Sequence, residues 1–128
     1  GCQDEGSWLS DKENQANVYF GLFSTARDLG KLGQLYLQKG NWEGEQLIPE
    51  PFIDISIQSN GKSEDFGFNW WIYKDANHFA YYAKGHKGQY LIVVPKLDLV
   101  LIRFGEKDFE NSNQFLKSIL DQSSKWYN

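Results

Sequence analysis

The stretch FAYYAKGHKGQYLIVVPKLDLVLIRFG, residues 79–105, reads as three extended runs joined by two tight turns. Residues 79–84, 90–94 and 99–104 are rich in aromatic and β-branched side chains, the composition that fits a pleated, half-buried surface. The first turn is built from Ala83, Lys84, Gly85, His86, Lys87, Gly88 and Gln89, the second from Pro95, Lys96 and Asp98. Neither connection is long enough to hold a crossover helix, so these strands are antiparallel neighbours. Small residues and a cation thus meet at a strand end. There a glycine lets a ligand approach the main chain, and an unpaired N–H can stabilise developing negative charge.

Working outward, residues 66–73 place Phe66, Phe68, Trp70 and Ile72 in alternation with Gly67, Asn69, Trp71 and Tyr73, which predicts a fourth strand covered on both faces. Asp75, Ala76 and Asn77 turn it back into the meander. Toward the C-terminus, Phe115, Leu116, Ile119 and Leu120 recur at helical spacing and predict an amphipathic helix over one sheet face. Upstream, Thr25-x-x-Asp28 starts a helix over 25–39, carried by Leu29, Leu32, Leu35 and Tyr36 and stopped at Gly40. Gly30 and Gly33 each cost that helix about 1 kcal/mol relative to Ala, which implies a close neighbour. Gly44 lies between two short extended pieces, and Pro49 and Pro51 then open a short helix. The polar run 11–17 suits an exposed tip, and Asn60-Gly61 a turn. The expected fold is α+β: an antiparallel β-meander covered by a C-terminal helix, with an N-terminal helical segment, in one domain over 1–128.

Composition narrows the functional classes. The formal charge is −4, and only two of thirteen basic residues are Arg, which argues against a surface that tracks nucleic-acid phosphates. A single Cys2 makes no internal disulfide, and no Cys/His spacing suggests a metal. No apolar run is long enough to span a membrane. The chain has no Met, so Gly1 is expected to be a processing scar or an internal cut, and Gly1-Cys2 allows the end of a lipoprotein signal. Nine Phe, seven Tyr and five Trp must pack on something or bind something.

Four motifs, taken together, resemble the class C type of serine β-lactamase family. They are Glu5-Gly-Ser-Trp8-x-x-Asp11, Gly21-Leu-x-Ser-Thr-Ala-Arg27-Asp28-Leu-x-x-Leu-Gly33, Gly40-x-Trp42-x-Gly44-x-x-x-Ile48-Pro49, and Gly88-Gln-Tyr-x-x-x-x-Pro95-x-x-Asp98-Leu-Val-x-Ile102. Within that family the chain looks most like the branch of 6-aminohexanoate-dimer hydrolases and related esterases. The resemblance implies a partial β-lactamase/transpeptidase-like fold, the C-terminal portion of a hydrolase that cleaves amide or ester bonds of small molecules through an acyl-enzyme, without a cofactor. It places the family's Lys-Thr-Gly-like triplet, which lines the substrate, on Ala83, Lys84 and Gly85. It also gives the oxyanion role to the backbone N–H of His86. The departure from Lys-Thr-Gly at the first two positions is closer to esterases than to true β-lactamases. The resemblance further implies a bacterial cell-envelope protein, periplasmic or lipoprotein, in preference to a cytoplasmic one. It also implies a bare sheet edge at 99–104, through which the isolated chain would form homo-oligomers.

The family's nucleophile, in Ser-x-x-Lys at a helix start, has no convincing counterpart. Ser59-Asn60-Gly61-Lys62 matches the spacing, but Asn-Gly forms turns, and the two side chains must share one helical turn to meet. The chain alone is therefore expected to be inactive. Lys84 also suits an exposed strand lysine, Lys87 a solvated turn charge and His86 a solvated ring, while His78 has no visible partner. A rival reading is a carbohydrate- or peptide-binding module that stacks Trp42, Trp70, Trp71 and Tyr82 in one exposed row. A further one is a non-catalytic interaction domain.

Overall fold

The computed structural model describes residues 2–17 and 20–126. Gly1, on which the processing expectation rests, lies outside the described residues, whereas Cys2, the other member of the Gly1-Cys2 pair behind the lipoprotein expectation, is described and exposed. The architecture is α+β in three layers, with a four-stranded antiparallel sheet between two helices. Its strands are β5 (Trp71–Lys74), β6 (Phe79–Gly85), β7 (Gln89–Val94) and β8 (Leu99–Arg103), in the order β5-β6-β7-β8. The helices are α1 (Ala26–Leu37) and α3 (Ser112–Ser124). Two-stranded ribbons, β1 (Ser7–Trp8) with β2 (Leu22–Phe23) and β3 (Asn41–Trp42) with β4 (Glu45–Gln46), and the short α2 (Glu50–Ser56) complete it. Among the described residues no helix is long and apolar enough to cross a membrane.

Alternation along β7 creates the two layers, because successive side chains leave a strand on opposite faces. Tyr90, Ile92 and Val94 join Tyr73 and Tyr82 against Leu116 and Leu120 of α3. Leu91 and Val93 join Trp70 and Tyr81 against Leu29, Tyr36 and Leu37 of α1. Burying each such side chain contributes about 1.5–3 kcal/mol, so a central strand filled on both faces anchors the domain. Rings connect the layers. Tyr36 lies 4.7 Å from Trp70, and Trp70 meets Tyr81 edge-on at 5.1 Å. On the other face Tyr90 packs on Phe115 at 5.1 Å, and Phe115 stacks on Phe109 at 3.9 Å.

The helix ends follow from local chemistry. Thr25 Oγ1 accepts from Asp28 N at 3.3 Å, which caps α1 as its spacing predicts. The Asp28 carboxylate turns away from the cap residue. It is buried and accepts instead from the main chain of the N-terminal segment, Gln3 N at 3.0 Å and Asp4 N at 2.9 Å, and from Lys31 Nζ at 2.6 Å. At the other end Lys39 takes a left-handed φ of 55°, and Gly40 N donates to Leu35 O and Lys39 N to Tyr36 O. The chain therefore leaves α1 in a Schellman turn one residue before the glycine expected to stop it.

One strand is shorter than its alternation suggests. Residues 66–70 are not strand, apart from an isolated bridge between Phe66 and Trp71. Asn69 has a φ of 64°, and Phe68 N donates to Ser56 O at the end of α2, so the backbone is diverted toward that helix before β5 begins. The diversion lets Trp70 turn into the α1 layer. The short hairpin, the α2 helix and the polar tip around 11–17 form as expected, the tip closed by Asp11 N to Gln15 O and by a bridge between Ser10 and Ala16.

Gly33 sits where α1 presses hardest on the sheet. A Cβ there would lie 2.6 Å from Val100 Cγ1 and 2.9 Å from Leu91 Cδ1, whereas one at Gly30 would meet only Ile102 Cδ1, at 3.1 Å. Gly33→Ala is therefore expected to destabilise by about 1–3 kcal/mol, the usual cost of overpacking. Gly30→Ala, which gains about 1 kcal/mol of helix propensity, should be neutral or stabilising. Urea denaturation of the two variants checks this, and equal effects would refute the account. Asp28 supplies a pH test. Its carboxyl is held down at about 2, first by the Lys31 hydrogen bond and then by the Asp4 and Gln3 N–H groups, against an ordinary 3.8. A depressed folded value means stability that is present above the ordinary value and lost as pH falls through the folded one. Between those two values Asp28→Asn should lose less stability than the parent chain, and parallel unfolding curves would show that the clamp has no such role.

Candidate active site

The strand lengths of the sheet are unequal in a way that exposes part of β6. Strand β5 pairs with Phe79 to Tyr82 only, while β6 continues through Ala83, Lys84 and Gly85 with β7 alone beside it. On their other side these three residues have no strand partner among the described residues, so a short edge of main chain lies open. The strand then enters the turn of His86, Lys87 and Gly88. The sequence-predicted residues Ala83, Lys84, Gly85 and His86 are therefore contiguous along one open edge and its turn.

Their environments differ. Ala83 is half-buried and packs into the α1 layer. Lys84 is exposed and turned to the other face, where Nζ donates to Ser112 Oγ at 2.9 Å, and Tyr90 OH reaches the same hydroxyl at 3.0 Å. Its ammonium is thereby held at the first turn of α3. His86 is exposed, and its backbone N–H makes no hydrogen bond among the described residues. The amide is not drawn into the ladder and is available to an acceptor. Beside the open edge, Trp71 stacks on Tyr82 with centroids 6.5 Å apart and takes the edge of Phe66 at 4.9 Å. The Tyr82 hydroxyl is pushed up to about 12, first by burial and then by neighbouring Tyr90 and Asp65, so it stays protonated at neutral pH.

The turn itself is fastened from outside by groups that its sequence did not announce. Gly88 N donates to Asp108 Oδ1 at 2.9 Å, and Gly88 O accepts from Arg103 Nη1. The Gln89 side chain bonds both polar groups of Gly105, Nε2 to its O at 2.6 Å and Oε1 from its N at 3.1 Å. Arg103 lies over the Phe109 ring, 4.5 Å from its centroid. These partners come from β8 and the loop leading to α3. A β-strand Arg in an otherwise apolar run was the one available signal.

Two clefts lie elsewhere. One of about 480 Å³ is lined by Asp54, Ser59, Glu64 and Lys74 among others, and one of about 160 Å³ by His78, Lys96 and Ser124 among others. Neither includes residues 83–86. Ser59, in the first cleft, lies in a non-helical segment. Its hydroxyl donates to Ser63 O, and Lys62 N is tied to Asn60 Oδ1, so Ser59 and Lys62 are not on one helical turn.

His78, which shows no partner in the sequence, is in fact well held. Nδ1 is 3.2 Å from Asp75 Oδ1, and Nε2 is 3.4 Å from Ser124 Oγ and 3.6 Å from Asp121 Oδ1. Asp75 also accepts from Asn77 N, His78 N and Tyr73 OH. Those bonds, led by the Asn77 N–H, hold its carboxyl well below the usual carboxylate range. Burial, helped by Asp75, pushes Tyr73 up to about 12. The Ser124 hydroxyl donates to Leu120 O at 2.9 Å, and the cluster acts as a brace between the β5–β6 turn and the C-terminal end of α3. Among the described residues no group of three or more His, Cys, Asp or Glu is placed to hold a metal ion.

No family model matches the chain, and no curated protein does. Among solved structures, a Bacillus anthracis protein provisionally named a 6-aminohexanoate-dimer hydrolase matches with a TM-score of 0.79 at 24% identity, over 95% of this chain. The match takes in 34% of the other chain, so the present chain spans about a third of its length. The two share a fold over that portion, and the neighbour carries the name of the same branch that the sequence motifs resemble.

Gly88 has a φ of 75°, and a Cβ there would lie 2.5 Å from both Arg103 Nη1 and Lys107 O. At Gly85 the nearest atom would be Gln89 Cβ at 3.1 Å. Gly88→Ala should therefore destabilise by about 1–3 kcal/mol and Gly85→Ala by less than about 1 kcal/mol, measured by thermal unfolding. The reverse order would show that the turn is not held as described.

Proposed function

We propose that this chain is the portion of a serine hydrolase that supplies the oxyanion strand, in an enzyme acting on amide or ester bonds of small molecules through an acyl-enzyme. The observation that carries the reading is the N–H of the exposed His86, which makes no hydrogen bond among the described residues, at the end of a strand that projects beyond its neighbour. In this reading the nucleophilic hydroxyl and its base come from outside the chain. As the hydroxyl attacks, the carbonyl oxygen gains charge, and the His86 N–H and the nucleophile's own N–H stabilise it. The amine or alcohol leaves, and water releases the acid. One such donor contributes about 10²–10³-fold in rate. Ala83, Lys84 and Gly85 form the open edge along which the substrate lies. We place the enzyme in the bacterial cell envelope, and we assign self-association of the isolated chain to β8, whose outer edge is unpaired among the described residues.

The binding-module reading needs its rings in one exposed row. Trp70 and Tyr82 are each only 5% exposed and belong to opposite layers, and of the four rings named only Trp71 is markedly exposed, at 41%. This arrangement favours the hydrolase.

A nitrophenyl ester assay tests the reading. The 128-residue chain alone should give no burst, and a burst abolished by Ser59→Ala would overturn the assignment. In a longer polypeptide that joins this chain to a Ser-x-x-Lys segment, His86→Pro, which removes the N–H, should lower the rate by about 10²-fold. His86→Ala, which keeps it, should lose far less. Equal losses would mean that the imidazole acts, and no loss in the proline variant would end the oxyanion role.

A further inference from the structure

We propose that Arg103 and Asp108 are positioning residues for the His86 N–H, an inference that rests on the oxyanion role just assigned to that amide. The Gly88 N–H and C=O belong to consecutive peptide planes. Asp108 Oδ1 holds the first at 2.9 Å, and Arg103 Nη1 holds the second. On the other side of the turn, Gly85 is registered opposite Gln89 in the ladder. Only His86 and Lys87 therefore lie between two fixed points, and the peptide plane that carries the His86 N–H has little freedom left.

The fixed points are themselves braced. Arg103 lies on Phe109, which stacks on Phe115 of α3, and Gln89 bonds both polar groups of Gly105 in the loop that carries Asp108. The clamp thus reaches from the turn to the helix layer. Closing a short hairpin does not require two charged side chains, since the turn's own backbone suffices. What the clamp does sustain is a strained conformation. Lys87 has a φ of 59°, a left-handed geometry that costs a residue with a Cβ about 1–2 kcal/mol. Charge-assisted bonds on the adjacent Gly88 are strong enough to hold it. An amide that must point at a developing charge benefits from orientation fixed in advance, because no reorganisation is then needed during the reaction.

Nuclear spin relaxation of the ¹⁵N-labelled 128-residue chain tests the clamp without any substrate. The parent chain should show rigid amides at 86–88, with order parameters of about 0.85. Asp108→Ala, and Arg103→Lys, which keeps the charge but loses the planar fork, should lower them below about 0.6 at those residues while Leu91 and Val93 keep theirs. Asp108→Asn retains Oδ1 as an acceptor and should restore the order. Turn amides that stay rigid in both damaging variants would overturn the proposal. So would a loss of order spread evenly over β5 to β8, since that is the signature of general destabilisation. Should Asp108→Ala fail to fold, Arg103→Lys and Asp108→Asn decide alone. A failed ester assay would remove the purpose of the clamp and leave these relaxation results standing, so the two readings fail separately.

Discussion

Everything in this domain depends on β7 being filled from both sides. Tyr90, Ile92 and Val94 face one helix layer and Leu91 and Val93 the other, all of them nearly or fully buried. A strand in that position cannot slip by one residue, because a slip would exchange every side chain between layers of different shape. The α1 layer is built around Tyr36, Trp70 and Tyr81, and the α3 layer around Tyr82, Tyr90, Phe109 and Phe115. Register is thus set by the mismatch between the two aromatic sets. With register set, the ends of β6 and the position of its turn are set as well.

The candidate site inherits its geometry from this constraint. Strand β6 leaves β5 behind at Tyr82 and runs on through Ala83 to Gly85, supported only by β7. An isolated two-stranded projection is weak by itself, and here Arg103 at the end of β8 and Asp108 in the loop leading to α3 grip its tip. The open edge and the gripped tip are two consequences of one unequal pairing. Neither of the two clefts described includes this edge, and the chain spans about a third of its structural neighbour's length.

Much of this was legible in the residues. The meander could be read because its turns are short and carry Gly, Pro and Asp where backbone geometry demands them. Both long helices could be read from apolar spacing, and the crowding of α1 from two glycines on one helix. What the sequence did not reveal was of another kind. The alternation over 66–73 looked like a single strand, yet Asn69 and the pull of Ser56 O redirect its first half, and such a tertiary contact leaves no trace in local pattern. The partners of His78 come from its own turn and from the far end of α3. The placement of Ala83 to His86 came through family resemblance, while Asp108 and Gln89 act on main-chain atoms and bear no mark of the role at their own positions, and Arg103 is marked only as a charge in an apolar strand.

The N-terminal tether illustrates the same economy. Asp28 captures the chain at residues 3 and 4 through peptide nitrogens, and among the described residues its bonds at position 3 are to the Gln3 N–H alone. A contact of that sort ignores what protrudes from the backbone. Any amino acid other than proline can occupy position 3 and still be moored to α1, so the leading segment keeps its path across the helix while its outward chemistry stays open to change.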